Sequence, residues 1–352
     1  MATFLLFVLI FGVVVVSHEF GHFLLAKANG IHVVEFAVGM GPTLLSFKKG
    51  DTKYALKLLP LGGACMFEGE DGLYTEGGAV SDGAFTRASV WARISTVLAG
   101  PVFNFILGFI IALIMVNIKG VRIGLPIISE VTDGGAAQEA GLLPGDRIVS
   151  LDGDKICLFQ EIFLFTQLCD GKEIPVVYVR DGQKYTTMLT PQYNEANGRY
   201  LIGITGTSAE GQGINSLKYA WYEVRYSMVA TYKSLGLMLH GKVSRQDVAG
   251  PVGIAVNVVG KTYEQAKKYG ALDVLVNMLN ISLLLSINLG VLNLLPIPAL
   301  DGGRLVFLLV EVIRGKPVPP EKEGIVHLVG LVFFMILMVF LFFNDLANIF
   351  MK

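Results

Sequence analysis

His18-Glu19-Phe20-Gly21-His22 sets two imidazoles four residues apart with a carboxylate beside the first. On a helix, positions i and i+4 share one face. Both rings can therefore reach a single zinc ion while Glu19 faces an activated water as general base. That is the chemistry of metal-assisted hydrolysis. Hydrolytic zinc takes three protein ligands and keeps a fourth position open, so one more ligand is required. A third histidine ten residues after His18 would complete one helical pattern, but Ala28 stands there. Glu35 and Glu68 follow in what reads as loop or hairpin. Asp301 is the better candidate. It closes the run Asn293-Leu294-Leu295-Pro296-Ile297-Pro298-Ala299-Leu300-Asp301-Gly302-Gly303, at the end of an apolar stretch.

Pro296 and Pro298 lack backbone donors and disrupt a helix, so this stretch is expected to unwind just before Asp301. Irregular backbone at membrane depth is tolerated only when buried in protein or lining a wet cavity, and a hydrated metal site is such a cavity. Asn293, at the edge of the break, could hydrogen-bond a substrate peptide or a developing oxyanion. Asn104, in Ala99-Gly100-Pro101-Val102-Phe103-Asn104, offers a similar group beside a small-residue patch. Helix–helix hydrogen bonding is an equal reading of both asparagines.

The elements that must carry these groups are hydrophobic. Of 352 residues, 53% are hydrophobic and only 16% charged, against roughly 25% charged in soluble domains. A single soluble globule is excluded. Net charge is −1, from 28 Lys+Arg and 29 Asp+Glu, which argues against a nucleic-acid partner. Cys65, Cys157 and Cys169 show no CxxC spacing and read as ordinary thiols. Four apolar runs approach the ~20 residues a span needs: 2–17 with an apolar tone to Ala26, 94–118, 274–300, and 325–343, marred only by His327. A charge at mid-span costs roughly 2.5–3.5 kcal/mol, so Glu19 in the first run calls for a function. That run lacks a basic leader and a small-residue cleavage site, and reads as a span and not a signal peptide. Lys27, Lys48, Lys49, Lys53, Lys57, Arg87 and Arg93 put the first loop in the cytoplasm, as Arg304, Arg314, Lys316 and Lys322 do for the last. The 119–273 segment and both termini then lie outside. On this topology the first and third spans run the same way, bringing His18, His22 and Asp301 to similar depth.

Residues 119–206 read as a separate β-rich domain, with strands at Pro126–Val131, Arg147–Leu151, Ile174–Arg180 and Lys184–Leu189 and helices at 136–142 and 158–168. The run from Gly134 to Ile148 resembles the signature of PDZ domains, which add an extended peptide to a sheet edge; the groove is then expected near Gly124-Leu125-Pro126-Ile127. Residues 207–273 are a linker whose 216–240 stretch has helical apolar spacing, either an amphipathic helix at the outer surface or one packed on the soluble domain. Within the first loop, Leu44–Phe47 and Tyr54–Leu59 flank a Lys48-Lys49-Gly50-Asp51 turn as a membrane-side hairpin, broken by Pro60-Leu61-Gly62-Gly63.

The fold class expected is thus a multi-pass α-helical membrane protein: 1–118 with two spans and the hairpin, 119–206 PDZ-like, 207–273 linker, 274–352 with two spans. HEFGH in a first span, GPxxN in a second, a PDZ-like insert and NxxPxPxLDGG in a third resemble the site-2 protease family of intramembrane zinc metalloproteases. The likeness is to the bacterial regulator-of-sigma-E type with a single PDZ domain, and it covers nearly the whole chain. It implies that His18, His22 and Asp301 hold Zn2+, that Glu19 is the catalytic base, and that Asn293 and Pro296 help hold substrate. It further implies that the 43–68 hairpin is a membrane-reentrant sheet whose edge binds unwound substrate. Substrates would be single-pass membrane proteins already trimmed outside, such as anti-sigma factors or signal-peptide remnants, cut in the inner membrane with the PDZ domain extracytoplasmic. The Ala249–Ile254 run also looks like a family element. Two other readings are a non-catalytic PDZ scaffold with a structural metal, and a metal-ion transporter using His18, His22, Asp301 and His327.

Overall fold

The structure is a computed structural model, described over residues 2–70, 81–196, 198–211, 213–241, 243 and 248–350. It forms two compact units, Met1–Ile111 with Thr231–Lys352, and Ala112–Ala230. Helix α1 (Ala2–Ala28) is an apolar run free of proline. It ends where the Ile31 N–H reaches back to the Ala26 carbonyl at 2.8 Å and the Gly30 N–H to Lys27 at 3.2 Å, a glycine-terminated cap.

The chain then enters a sheet made by β1 (Val33–Lys49) and β2 (Thr52–Phe67). Lys49 to Leu45 pair with Thr52 to Leu56 as the expected hairpin. The first half of β1 is used twice: Val33–Val38 lies opposite Phe67–Gly63 on one side and has Glu35–Val38 against Lys53–Leu56 on the other. Gly62, with φ +77, makes a corner after Pro60. The expected break is therefore a bend, after which Gly63–Phe67 resumes pairing on the far side of β1. Four strand segments result, and Gly63–Phe67 is one edge. Helix α2 (Val90–Asn117) follows, with Pro101 inside it.

The second unit holds a sheet of order β10-β3-β4-β6-β7. Its elements are β3 (Arg122–Val131), α3 (Ala136–Glu139), β4 (Arg147–Leu151), β5 (Asp154–Lys155), α4 (Phe159–Leu168), β6 (Ile174–Arg180), β7 (Gln183–Leu189), β8 (Gln192–Asn194), β9 (Arg199–Leu201) and β10 (Ile204–Glu210). Ile128, Leu142, Ile148, Leu151, Ile162 and Val176 fill its core. The expected strands recur closely, but β10 continues past 206, so a boundary there would cut a strand. β3 is also paired on both sides, by β10 and β4. Gly124 and Leu125 pair with Ser208 and Thr207 of β10 on one side, β4 meets β3 only at Ile127 on the other, and the strand that ends the sheet on the β10 side is β10 itself. Helix α5 (Ile214–Leu239) runs out of this unit, its Arg225 pairing with Glu161 at the start of α4.

The first unit resumes with α6 (Pro251–Gly253), a π-helical stretch Ile254–Gly260, α7 (Lys261–Ala266), α8 (Ala271–Asn293), α9 (Asp301–Arg314) and α10 (Pro320–Phe350). Helices α1, α2, α8 and α10 are long and apolar enough to cross a membrane. The third apolar run stops being helical at Asn293 and not at Leu300, because Pro296 and Pro298 remove two donors and bias their preceding residues away from helix. Its remainder is the turn Leu294–Leu300, and Asp301 starts a new helix. Asp345 of α10 is buried and accepts the Gly250 and Gly253 N–H groups at 2.9 and 2.8 Å, which anchors the Ala249–Ile254 run.

Candidate metal centre and active site

His18 and His22 lie one turn apart on α1, each only 7% exposed. They fit because α2 has glycine where it crosses: a Cβ on Gly100 would overlap His22 Nε2 and lie 2.8 Å from His18 Cε1. The small residue beside Pro101 is thus a steric requirement of the histidine pair. His22 Nδ1 lies 2.9 Å from the Thr96 carbonyl oxygen. A carbonyl only accepts, so Nδ1 carries the proton and Nε2 is left as the electron-pair donor. His18 Nδ1 lies 3.2 Å from the Asn104 amide, which is wholly buried. Turning that amide over presents Oδ1 as the acceptor that a His18 Nδ1–H needs, and amide orientation is set by such networks. Ser286 of α8 donates to the Asn104 carbonyl at 2.8 Å, which fixes α2 against α8 here.

Asp301 comes from the other end of the chain. Its Oδ2 lies 3.1 Å from His18 Nε2 and 3.3 Å from His22 Nε2, and the two Nε2 atoms are 3.2 Å apart. Oδ2 is buried without a hydrogen bond among the described residues. Three electron-pair donors facing one another repel, and a cation between them removes the conflict. A tetrahedral zinc with arms of about 2.0–2.1 Å sets its ligands roughly 3.3 Å apart, so this donor set fits the ion. His18, His22 and Asp301 form the one cluster of potential metal ligands found among the described residues.

The start of α9 is pressed onto the turn that precedes it. Cβ atoms on Gly302 and Gly303 would collide with the Leu294–Leu295 and Ile297–Pro298 backbone, which explains two glycines after Asp301. Within the turn, Ala299 has φ +70, a left-handed conformation that costs an alanine about 1–2 kcal/mol. Helix α9 is then tied down by two ion pairs, Arg93–Glu311 and Glu70–Arg304. Sequence reading missed α9, whose signal was the helical spacing of Leu305, Leu308 and Val312 before the Gly315 stop.

Glu19 points into a cavity of about 320 Å³ lined by His18, His22, Gly63, Cys65, Asn293 and Asp301 among others. The Cys65 backbone amide faces its carboxylate, and Gly63 passes so close that a Cβ would lie 2.7 Å from Glu19 Cγ. The edge segment Gly63–Phe67 therefore borders the reactive groups. Asn293 is half-buried on the cavity wall, its Nδ2 3.5 Å from His18 Nε2. Pro296 is exposed in the turn and lines neither this cavity nor the adjoining one of about 600 Å³ beneath α10. Asn104, with no exposure, faces His18 and not the cavity.

The two other acidic candidates are committed elsewhere. Burial would raise the Glu35 carboxyl, but Lys57 at 2.8 Å and Lys53 at 2.9 Å override it and hold it below the ordinary range. Glu68 accepts from the Ser81 N–H (2.8 Å) and hydroxyl (2.7 Å) and from His32 (3.0 Å), which hold it low as well.

Residues 6–337 match peptidase family M50. A zinc metalloprotease RasP of Bacillus licheniformis is 33% identical over 429 aligned positions, covering 100% of both chains. The regulator of sigma-W protease RasP of Bacillus subtilis is 32% identical, covering 99% of both. A putative zinc metalloprotease of Clostridium acetobutylicum is 35% identical, covering 97% of this chain and 96% of its own. The chain belongs to peptidase family M50, the site-2 proteases whose motifs it carries. It is an intramembrane metalloprotease, its cofactor is zinc, and it is a multi-pass bacterial membrane protein.

Proposed function

We propose that the peptide-bond hydrolysis of this enzyme is carried out by His18 Nε2, His22 Nε2 and the Asp301 carboxylate as zinc ligands, with Glu19 as general base. The observation that carries this reading is the convergence of three donor atoms within 3.1–3.3 Å beside a carboxylate that is not one of them. Bound zinc supplies a polarised carbonyl and a water acidic enough to ionise near neutral pH. Glu19 takes the proton of the attacking water on a carboxylate oxygen and returns it to the leaving amine. Asn293 donates from Nδ2 to the carbonyl oxygen as charge develops. Pro296 shapes the turn against which substrate lies. Asn104 orients His18, since its burial keeps it from any substrate.

A membrane-spanning helix resists attack because its carbonyls are already bonded. It must unwind, and strand addition to the Gly63–Phe67 edge offsets the lost backbone bonds. The substrates we infer are single-pass proteins trimmed outside, anti-sigma factors and signal-peptide remnants; the name of the Bacillus subtilis relative supports the first. We read the Ala112–Ala230 unit as an extracytoplasmic PDZ-like domain that docks or filters them by size, its groove along β10. The non-catalytic scaffold is disfavoured because a structural zinc is closed by four protein ligands, and the cluster found supplies three. The transporter reading loses its fourth ligand, because His327 accepts from Ala299 and stands outside that cluster.

Glu19→Gln removes the base and leaves all three ligands. Cleavage of a reconstituted membrane peptide is expected to fall by about 10²–10⁴-fold with zinc content unchanged. Undiminished cleavage would refute the assignment. Comparative membrane proteomics of the same variant should reveal substrates that accumulate uncut.

A further inference from the structure

The turn between Asn293 and Asp301 must find acceptors for its N–H groups, and Pro296 and Pro298 have none to place. The N–H groups of Leu294, Leu295, Ile297 and Leu300 bond to the carbonyls of Val291, Leu292, Leu295 and Ile297. All of these stay within the turn or the end of α8. The Ala299 N–H leaves it. It donates to His327 Nδ1 on α10 at 3.0 Å, and Ala299 is the left-handed residue two positions before Asp301. One helical turn along α10, Gly330 meets the same segment: a Cβ there would lie 2.6 Å from the Pro298 carbonyl carbon. His327 and Gly330 share a helix face and touch consecutive residues of the turn. The His327 ring also packs on Phe307 of α9, centroids 5.7 Å apart. Because Nδ1 accepts, the ring proton sits on Nε2, which faces Glu323 Oε1 at 3.8 Å.

We propose that His327 is a positioning residue of the metal centre. By accepting the Ala299 N–H it holds the turn that aims Asp301 at the two histidines, and Gly330 lets α10 come close enough for it to do so. The inference rests on the reading of Asp301 as a ligand. It requires no contact between His327 and metal or substrate. An outward-looking membrane helix thereby governs the third ligand.

The test is zinc affinity of the full-length protein in detergent, by competition with a chromogenic chelator, for wild type, His327→Asn, His327→Gln, His327→Ala and Asp301→Ala. Asparagine puts an oxygen where Nδ1 stands and can accept the same N–H, whereas glutamine puts its oxygen near the Nε2 position. His327→Asn is expected to stay within about twofold of wild type, and His327→Gln and His327→Ala to bind about tenfold or more weakly, the scale of outer-shell effects on metal sites. Gly330→Val, which keeps the imidazole but pushes α10 off Pro298, is expected to show the same loss. Wild-type affinity in His327→Gln, or equal loss in His327→Asn and His327→Gln, overturns the proposal; the contrast between two amides of equal polarity guards against simple misfolding. Asp301→Ala separates the two levels. If it keeps wild-type affinity, the ligand assignment itself fails; if it loses zinc while His327→Gln does not, only the positioning role fails.

Discussion

Glu68, a ligand candidate by sequence, is engaged by Ser81 and His32 instead and lies outside the donor cluster. Its oxygens accept from the Ser81 N–H and hydroxyl and from His32, and these bonds tie Ser81 to the end of β2. Donation from Ser81 lowers its carboxyl below the ordinary value. A lowered folded-state value gives stability that is present above the unfolded value, about 4.3, and that disappears as pH falls through the folded one. Glu68→Gln is therefore expected to lower Tm by a few degrees at neutral pH, with the gap to wild type closing below about pH 4. Thermal melts in detergent across pH 3–8 check this; a gap that persists at the acid end would remove the charge from the account. Metal chemistry was legible at this scale because His18, Glu19 and His22 are neighbours in sequence and Asp301 follows two prolines in an apolar run. His327 was visible as an oddity in an apolar helix, but its role was not. Its partner is a backbone N–H on another element, and no side-chain pattern encodes that.

Among the elements, the edge segment of β2 is the one we propose to receive substrate, and it borders Glu19. Gly63 lies against α1, where a Cβ would sit 2.7 Å from Glu19 Cγ and 2.9 Å from Val15 Cγ1. Gly63→Val must push the edge strand away from the base while touching no ligand. We expect kcat/KM to fall on the order of 10²-fold, the cost of about 1 Å of misplacement, with zinc affinity unchanged. Parallel loss of zinc would mean that the strand supports the metal and not the substrate. The long strands were only half legible. The Lys48–Asp51 turn announces a hairpin, but Pro60 and Gly62 read as a stop when they are a corner that returns the chain to β1. α9 was hidden for a related reason: its apolar face continues a hydrophobic run, so the helix break at Asn293 and the restart at Asp301 look like one span.

At the scale of the whole molecule, the chain divides into a membrane unit built from both ends of the sequence and an inserted β-rich unit. The insertion itself was legible from its Gly/Asp turns and short strands. Its limits were not, because β10 and the first half of α5 lack the turn signals that mark the rest. The sidedness we propose predicts opposite labelling of two exposed positions, Lys184 on β7 and Lys316 after α9. With Cys65, Cys157 and Cys169 changed to Ala, Lys184→Cys should react with an impermeant thiol reagent in intact cells. Lys316→Cys should react only after permeabilisation. The reverse pattern would invert the topology.

The histidines arrive on α1 and the aspartate on α9, on opposite sides of the inserted unit. During synthesis the ribosome therefore releases Glu19 and the two imidazoles, the base and ligands we propose, long before Asp301 exists. On the proposed ligand set, a chain halted before α9 is expected to lack hydrolytic activity, because the carboxylate that completes the donor set has yet to be made.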